Sequence, residues 1–198
     1  MKELETTLNR NSLNNILKNG GVIAFVTDTV WGLGCLPSSE TGVDKIYEIK
    51  GRDRTKPLIL MSDKEENLIP YIKTLPNHAQ ELMQKHFPGA LTLVIEKSEI
   101  TPDYITAGKN TVGIRVPDNV FFKNLCSLID GGVLATTSAN VSNQPSSKTF
   151  EETKASVGQY VDSVFDDYGY HCKGKESTVV LITEDSFQIL RQGSIYIK

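Results

Sequence analysis

Apolar residues along the chain switch between a spacing of three to four and a spacing of two, which predicts helices alternating with strands. Leu8, Leu13, Ile16 and Leu17 suit an amphipathic first helix ended by Gly20-Gly21, and Val22 to Thr27 reads as a strand. The glycines of Thr27-Asp28-Thr29-Val30-Trp31-Gly32-Leu33-Gly34 predict a loop. Val43, Ile46, Tyr47 and Ile49 mark a second helix closing at Lys50-Gly51, before a charged loop and a short strand, Leu58 to Met61. Ser62 and Glu65 have capping-box spacing and predict a helix up to Pro70. A helix carrying Ala79, Leu82 and Met83 stops before Pro88-Gly89, and strand Ala90 to Ile95 follows.

In Thr111 to Val116 the alternation puts Val112, Ile114 and Val116 on one face and Thr111, Gly113 and Arg115 on the other. Val133 to Thr137 is a strand running into Ser138-Ala139-Asn140, and Thr149 with Glu152 caps a further helix. Thr178 to Ile182 and Phe187 to Leu190 close the pattern as two strands without a helix between them, so the sheet is expected to be mixed. Connections are short throughout, and residues 1–198 read as one α/β domain.

Composition narrows the function classes. The chain has 198 residues, 21 basic and 24 acidic, with a net charge of −3. Slight acidity excludes a generally basic nucleic-acid binder and leaves room for a local basic patch. No stretch approaches the roughly 18 apolar residues of a membrane span, and Met1 to Ser12 has neither a secretory nor a transit pattern, so no membrane contact and a cytoplasmic location are expected. Cys35, Cys126 and Cys172 are odd in number and far apart, which suits reduced thiols rather than a disulfide framework or zinc knuckle.

Gly169 to Glu176 meets the P-loop spacing until Glu176, where a hydroxyl belongs, and the following Ser177 to Ile182 is strand-like rather than helical, so a P-loop is rejected. Gly32-x-Gly34 lacks the third glycine of a dinucleotide fingerprint. His78, His86 and His171 have no ligand-like or triad-like neighbours, and the carboxylate pairs Glu65-Glu66, Glu151-Glu152 and Asp166-Asp167 fit caps and loops. Without an acid/base dyad or a metal-ligand set, an enzyme built from this sequence would act by placing charge and orienting reactants.

The segment Lys45 to Lys56 supplies that charge: Lys45, Lys50, Arg52, Arg54 and Lys56 against Glu48 and Asp53 give +3. Basic residues at every second position of an extended loop would point one way, either as a solvated surface or as a triphosphate site. Ser138 and Asn140 follow a buried-looking strand, where open α/β sheets hold ligands, although an ordinary polar turn accounts for them equally. Arg115 lies on a polar strand face beside Gly113, which would admit a ligand close to the backbone; a structural ion pair is the rival reading.

Thr27-Asp-Thr-Val-Trp-Gly-Leu-Gly34, Lys50-Gly-Arg52 with Lys56-Pro57-Leu58, Phe87-Pro-Gly89, Gly113-Ile-Arg115-Val116-Pro117, Thr137-Ser-Ala-Asn140, Ser177-Thr-Val179 and Leu190-Arg-x-Gly193 resemble, in order, the YrdC-like (TsaC) family of threonylcarbamoyl-AMP synthases. The resemblance spans about residues 20 to 193. It implies a twisted open mixed sheet flanked by helices, with a concave, positively lined cleft. It also implies a nucleotidyltransferase that joins L-threonine, bicarbonate and ATP into threonylcarbamoyl-AMP with release of pyrophosphate. The product would pass to partner proteins that install threonylcarbamoyladenosine beside the tRNA anticodon.

Position by position, the resemblance makes Thr29, Arg115, Ser138 and Ser177 threonine contacts. It makes Arg52, Lys56, Thr111, Asn140 and Arg191 ATP contacts, joined by Ser147 and Lys148 from the segment Ser146 to Thr149. Lys50, Arg52, Ser138 and Asn140 carry the family signature and are the expected catalytic residues. Magnesium is expected to arrive with ATP, with no prosthetic group and no protein metal site. Val26, Trp31, Asn143 and Met61 depart from the residues common in the family. The chain runs out soon after Gly193, so the short, single-domain form is expected. Two other readings stand beside this one: an RNA-binding module that contacts tRNA or double-stranded RNA through the same groove without adenylate synthesis, and a carbamoyl-transfer role as in hydrogenase maturation proteins, made less fitting by the absence of accompanying acylphosphatase-like or zinc-finger segments.

Overall fold

The computed structural model describes residues 9–197. Helix α1 (Arg10–Lys18) starts where the Asn9 side chain accepts from Ser12 N, and it buries Leu13 and Leu17; Leu8 lies outside the described residues. The other helices are α2 (Glu40–Lys50), α3 (Asn77–His86), α4 (Asp103–Thr106), α5 (Val120–Ser127) and α6 (Phe150–Val157).

The strands are β1 (Ile23–Phe25), β2 (Gly32–Cys35), β3 (Ile59–Ser62), β4 (Leu91–Glu96), β5 (Thr111–Arg115), β6 (Val133–Ser138), β7 (Ser163–Val164), β8 (Thr178–Ile182) and β9 (Phe187–Arg191). They form one twisted mixed sheet in the order β7-β1-β2-β6-β3-β5-β4-β8-β9. The pairs β1/β7, β3/β5 and β4/β8 are parallel and the remainder antiparallel.

Register sorts the sheet into two faces. Leu33, Leu60, Leu93, Ile114 and Ala135 point to one face and are fully buried, with α2 packed on β2 and α4 on β5. Burying each such large aliphatic side chain contributes about 1.5–3 kcal/mol. On the opposite face, Phe25 and Phe122 of α5 meet with ring centroids 5.4 Å apart at one end. The rest of that face, from Gly32 and Ser138 across Ile59 and Thr136 to Arg115 and Thr92, is left as the floor of a cleft.

Three expectations are corrected. The segment read as a glycine loop contains strand β2, because its glycines make room for a ring: a Cβ at Gly34 would lie 2.9 Å from Phe25 Cε1. The helix expected after Ser62 is a pair of 3₁₀ turns, Glu65–Asn67 and Ile69–Tyr71. Ser62 does not cap them with a side-chain bond to Glu65; its hydroxyl donates to Gly132 O across the fold. The cations from 50 to 56 do not share an extended strand, because Lys50 ends α2 and Gly51 turns the chain with φ +53°. Arg54 goes back to Asp44 and lies over the Tyr47 ring. By contrast, Thr149 caps α6 as expected, accepting from Glu152 N, while Glu152 Oε2 accepts from Lys148 N.

Candidate active site

The cleft has a volume of about 190 Å³. Arg52, Arg115 and Arg191 line it together with one carboxylate, Glu176. Among the described residues the lining contains no cysteine or histidine. No cluster of three or more His, Cys, Asp or Glu side chains that could hold a metal occurs among them either.

Arg115 reaches the floor from the end of β5 and is 2% exposed. Its Nε donates to Gly89 O at 3.0 Å and one terminal nitrogen to Thr29 Oγ1 at 2.8 Å, while the other pairs with Asp28. A guanidinium has five N–H donors, so two remain on the terminal nitrogens. Burial pulls the Arg115 pKa down and the Asp28 carboxylate opposes that pull. Gly113 is not the ligand gap the sequence suggested: a Cβ there would lie 2.6 Å from Ile59 Cγ2, so the missing side chain makes space for Ile59.

Ser177 forms the wall beside Arg115, its hydroxyl 2.9 Å from Thr92 Oγ1. Arg191 donates to Ser177 O and Oγ at 3.2 and 3.3 Å and forms a 2.7 Å ion pair with Glu176. Glu176 also accepts from Ser146 Oγ at 3.0 Å, tying the loop after β6 to the strand opposite. Arg52 is held at the mouth by Lys56 O and Pro57 O.

Lys50 is 1% exposed and is corrected from a phosphate-facing cation to an internal one. Its ammonium donates to Ser138 O, to Asn140 O at 2.8 Å and to Asn140 Oδ1 at 2.9 Å, which accounts for its three N–H groups. Burial, reinforced by the Arg52 charge and partly opposed by Glu176, brings its pKa down to about 7. Asn140 is equally committed: its amide donates to Val141 O and Gln144 O, and its oxygen also accepts from Ser138 Oγ. Its expected ATP contact is therefore not available from the side chain in this arrangement.

Thr29, Arg52, Arg115, Ser138, Ser177 and Arg191 thus come together around one hollow. Thr111 begins β5 opposite Glu96, outside the lining. Lys56 presents its carbonyl to Arg52 and Tyr47 rather than its side chain to the cleft. Ser147 and Lys148 border a separate shallow hollow with Glu152. Sequence reasoning missed Asp28, Thr92 and Glu176 as members of the site. Asp28 was legible only as the centre of Thr-Asp-Thr, and Glu176 only as the residue that spoils a P-loop.

Three arginines and one carboxylate lining a cleft on the uncovered face of a mixed sheet define an α/β protein with a cationic hollow. The family model Sua5_yciO_yrdC, described as telomere recombination, matches residues 15–193, and the chain belongs to this Sua5/YciO/YrdC family. It is 35% identical over 179 residues to the threonylcarbamoyl-AMP synthase of Pyrococcus abyssi, covering 90% of this chain and 52% of that one. With the threonylcarbamoyl-AMP synthase of Halorhodospira halophila it shares 34% identity over 148 residues, 75% of this chain and 77% of the relative. The crystal structure of P. abyssi Sua5 complexed with L-threonine superimposes with a TM-score of 0.86 at 34% identity, over 93% of this chain and 53% of that one. The chain thus spans about half the length of the Pyrococcus relative.

Proposed function

We propose that the protein is a threonylcarbamoyl-AMP synthase, a nucleotidyltransferase acting on L-threonine, bicarbonate and ATP in the cytoplasm, with tRNA threonylcarbamoylation downstream. The observation that carries this reading is the pair of N–H groups left over on buried Arg115 at the floor of the cleft, in a chain similar over most of its length to proteins of that name. They remain to donate to the amino-acid carboxylate, a charge-assisted pairing that arginine favours. Thr29, Ser138 and Ser177 surround that position with hydroxyls.

The chemistry follows from the groups present. The threonine amine, deprotonated, adds to the carbon of carbon dioxide derived from bicarbonate and forms a carbamate; the N–H proton it gives up and the hydroxide left by bicarbonate leave together as water. A carbamate oxygen attacks the α-phosphorus of ATP in line; the new O–P bond forms as the bond to pyrophosphate breaks. Negative charge develops on the phosphoryl oxygens and the leaving group, and Arg52 and Arg191 at the mouth stand ready to offset it. Magnesium carried by ATP would neutralise further phosphate charge. A protein nucleophile is not required, which suits a lining without cysteine or histidine.

Pyrophosphate release tests this function. It is expected only when threonine, bicarbonate and ATP are all present. Salt-sensitive binding of tRNA or double-stranded RNA with no pyrophosphate release would favour the RNA-binding reading instead.

A further inference from the structure

The Ser138 hydroxyl has a fixed polarity, a property it shares in the cleft with Thr27 and Thr136, whose hydroxyls donate to Val30 O and Ile59 O. Ser138 Oγ lies 2.6 Å from Asn140 Oδ1. The Asn140 amide cannot be turned over, because its nitrogen faces two carbonyls, Val141 O at 2.9 Å and Gln144 O at 2.8 Å. Oδ1 is an acceptor only, so the Ser138 proton must point at it. Lys50 reinforces the arrangement by donating to the same Oδ1 and to the carbonyls of Ser138 and Asn140. Among the described residues no group donates to Ser138 Oγ, so the hydroxyl offers the cleft lone pairs alone. Ser177 and Thr92, by contrast, share a bond in which either oxygen can donate.

We propose that Lys50 is a positioning residue that, through Asn140, fixes Ser138 as an acceptor for the α-amine of the amino-acid substrate. This rests on the function proposed above and adds what selects the amine end of the substrate. A free amino acid offers a carboxylate that only accepts, a side-chain hydroxyl that does either, and an amine that supplies donors. Against an acceptor of fixed polarity the carboxylate has no match, and of the two groups that can donate we assign the amine to Ser138. A neutral amine that donates one N–H to Ser138 keeps its lone pair for carbon. Lys50 touches neither substrate nor reacting atoms in this account. Its buried ammonium holds the carboxamide and the backbone turn that aim the serine.

The test is calorimetric titration of the full chain with L-threonine and with 3-hydroxybutyrate, which keeps the carboxylate and hydroxyl and lacks the amine. The ratio of the two dissociation constants is the readout, since a merely structural role would weaken both ligands alike. Wild type is expected to prefer L-threonine. Ser138→Ala should reduce that preference about tenfold, mainly by weakening L-threonine, and Lys50→Met should move the ratio the same way. An unchanged ratio in Ser138→Ala overturns the assignment of the amine to Ser138 while leaving the adenylate reading intact. An unchanged ratio in a folded Lys50→Met overturns the role of Lys50. Ser138→Ala removes only a half-buried hydroxyl, so it carries the test even where Lys50→Met fails to fold. Wild type that does not bind L-threonine at all overturns this inference and the functional reading together, whereas binding without pyrophosphate release contradicts only the latter.

Discussion

Arg115 and Asp28 form an ion pair with both side chains almost wholly buried, 3% and 5% exposed. Removing one partner of such a pair leaves an uncompensated charge and typically destabilises by about 3–5 kcal/mol. Asp28→Ala is therefore expected to lower the unfolding free energy in urea by about 3 kcal/mol and to weaken threonine binding as the guanidinium loses its orientation. Stability within about 1 kcal/mol of wild type would show that the pair contributes little to the fold.

The ion pair of Arg191 with Glu176 is of a different kind, with side chains 46% and 42% exposed. Exposed pairs are worth about 0–1 kcal/mol. Arg191→Ala should leave the melting temperature nearly unchanged while raising the KM for ATP about tenfold, the effect of one lost charged hydrogen bond. Steady-state kinetics beside a thermal melt separates the two. Equal losses of stability and activity would assign Arg191 to the fold instead.

Lys50 predicts a pH signature in stability. Its pKa in the folded protein is about 7, against an ordinary 10.5. Between those values the unfolded chain binds the proton and the folded one does not, so this group alone makes stability rise with pH. The penalty is fully present below pH 7 and fades toward 10.5, by up to about 1.4 kcal/mol per pH unit. Unfolding curves of wild type and Lys50→Met at pH 6.5 and pH 9 isolate the effect: the stability of wild type relative to the variant should be greater at the higher pH. A difference independent of pH would mean that Lys50 titrates normally.

Gly34 is expected to reject even a methyl group. Its Cβ would meet Phe25 Cε1 at 2.9 Å and Leu134 Cδ1 at 3.3 Å. Gly34→Ala should cost about 1–3 kcal/mol, as overpacked cores do. Adding Phe25→Leu should recover part of the loss, a coupling that a double-mutant cycle measures. Additive losses would place the strain elsewhere.

Most of the sheet was legible in the sequence because its strands are short apolar runs such as Val22 to Thr27 and Leu58 to Met61, and the opposite orientations of Ile114 and Arg115 follow from the two-residue alternation of Thr111 to Val116. The segment around Gly32 and Gly34 was misread because a glycine beside a tertiary neighbour looks the same in one dimension as a glycine in a turn. Helix α5 escaped because its stripe, Phe121, Phe122 and Leu125, is short and follows Pro117 and two polar residues. In the site, Arg52, Arg115 and Arg191 were found by residue type and motif. The inward turn of Lys50 was not, since it closes the helix and meets the carbonyls of Ser138 and Asn140, partners about 90 positions away that charge spacing does not encode. Asp28 and Glu176 acquire their roles from partners 87 and 15 positions away.

The most direct test of the central claim is mass-spectrometric detection of threonylcarbamoyl-AMP formed by the purified protein from L-threonine, bicarbonate and ATP, with serine in place of threonine and with bicarbonate omitted as controls. The adenylate should appear with wild type, vanish without bicarbonate, and fall by orders of magnitude in Arg115→Ala. ATP consumed with no threonylcarbamoyl product, or product formed equally well by Arg115→Ala, would contradict a cleft in which Arg115 holds the amino acid for adenylation.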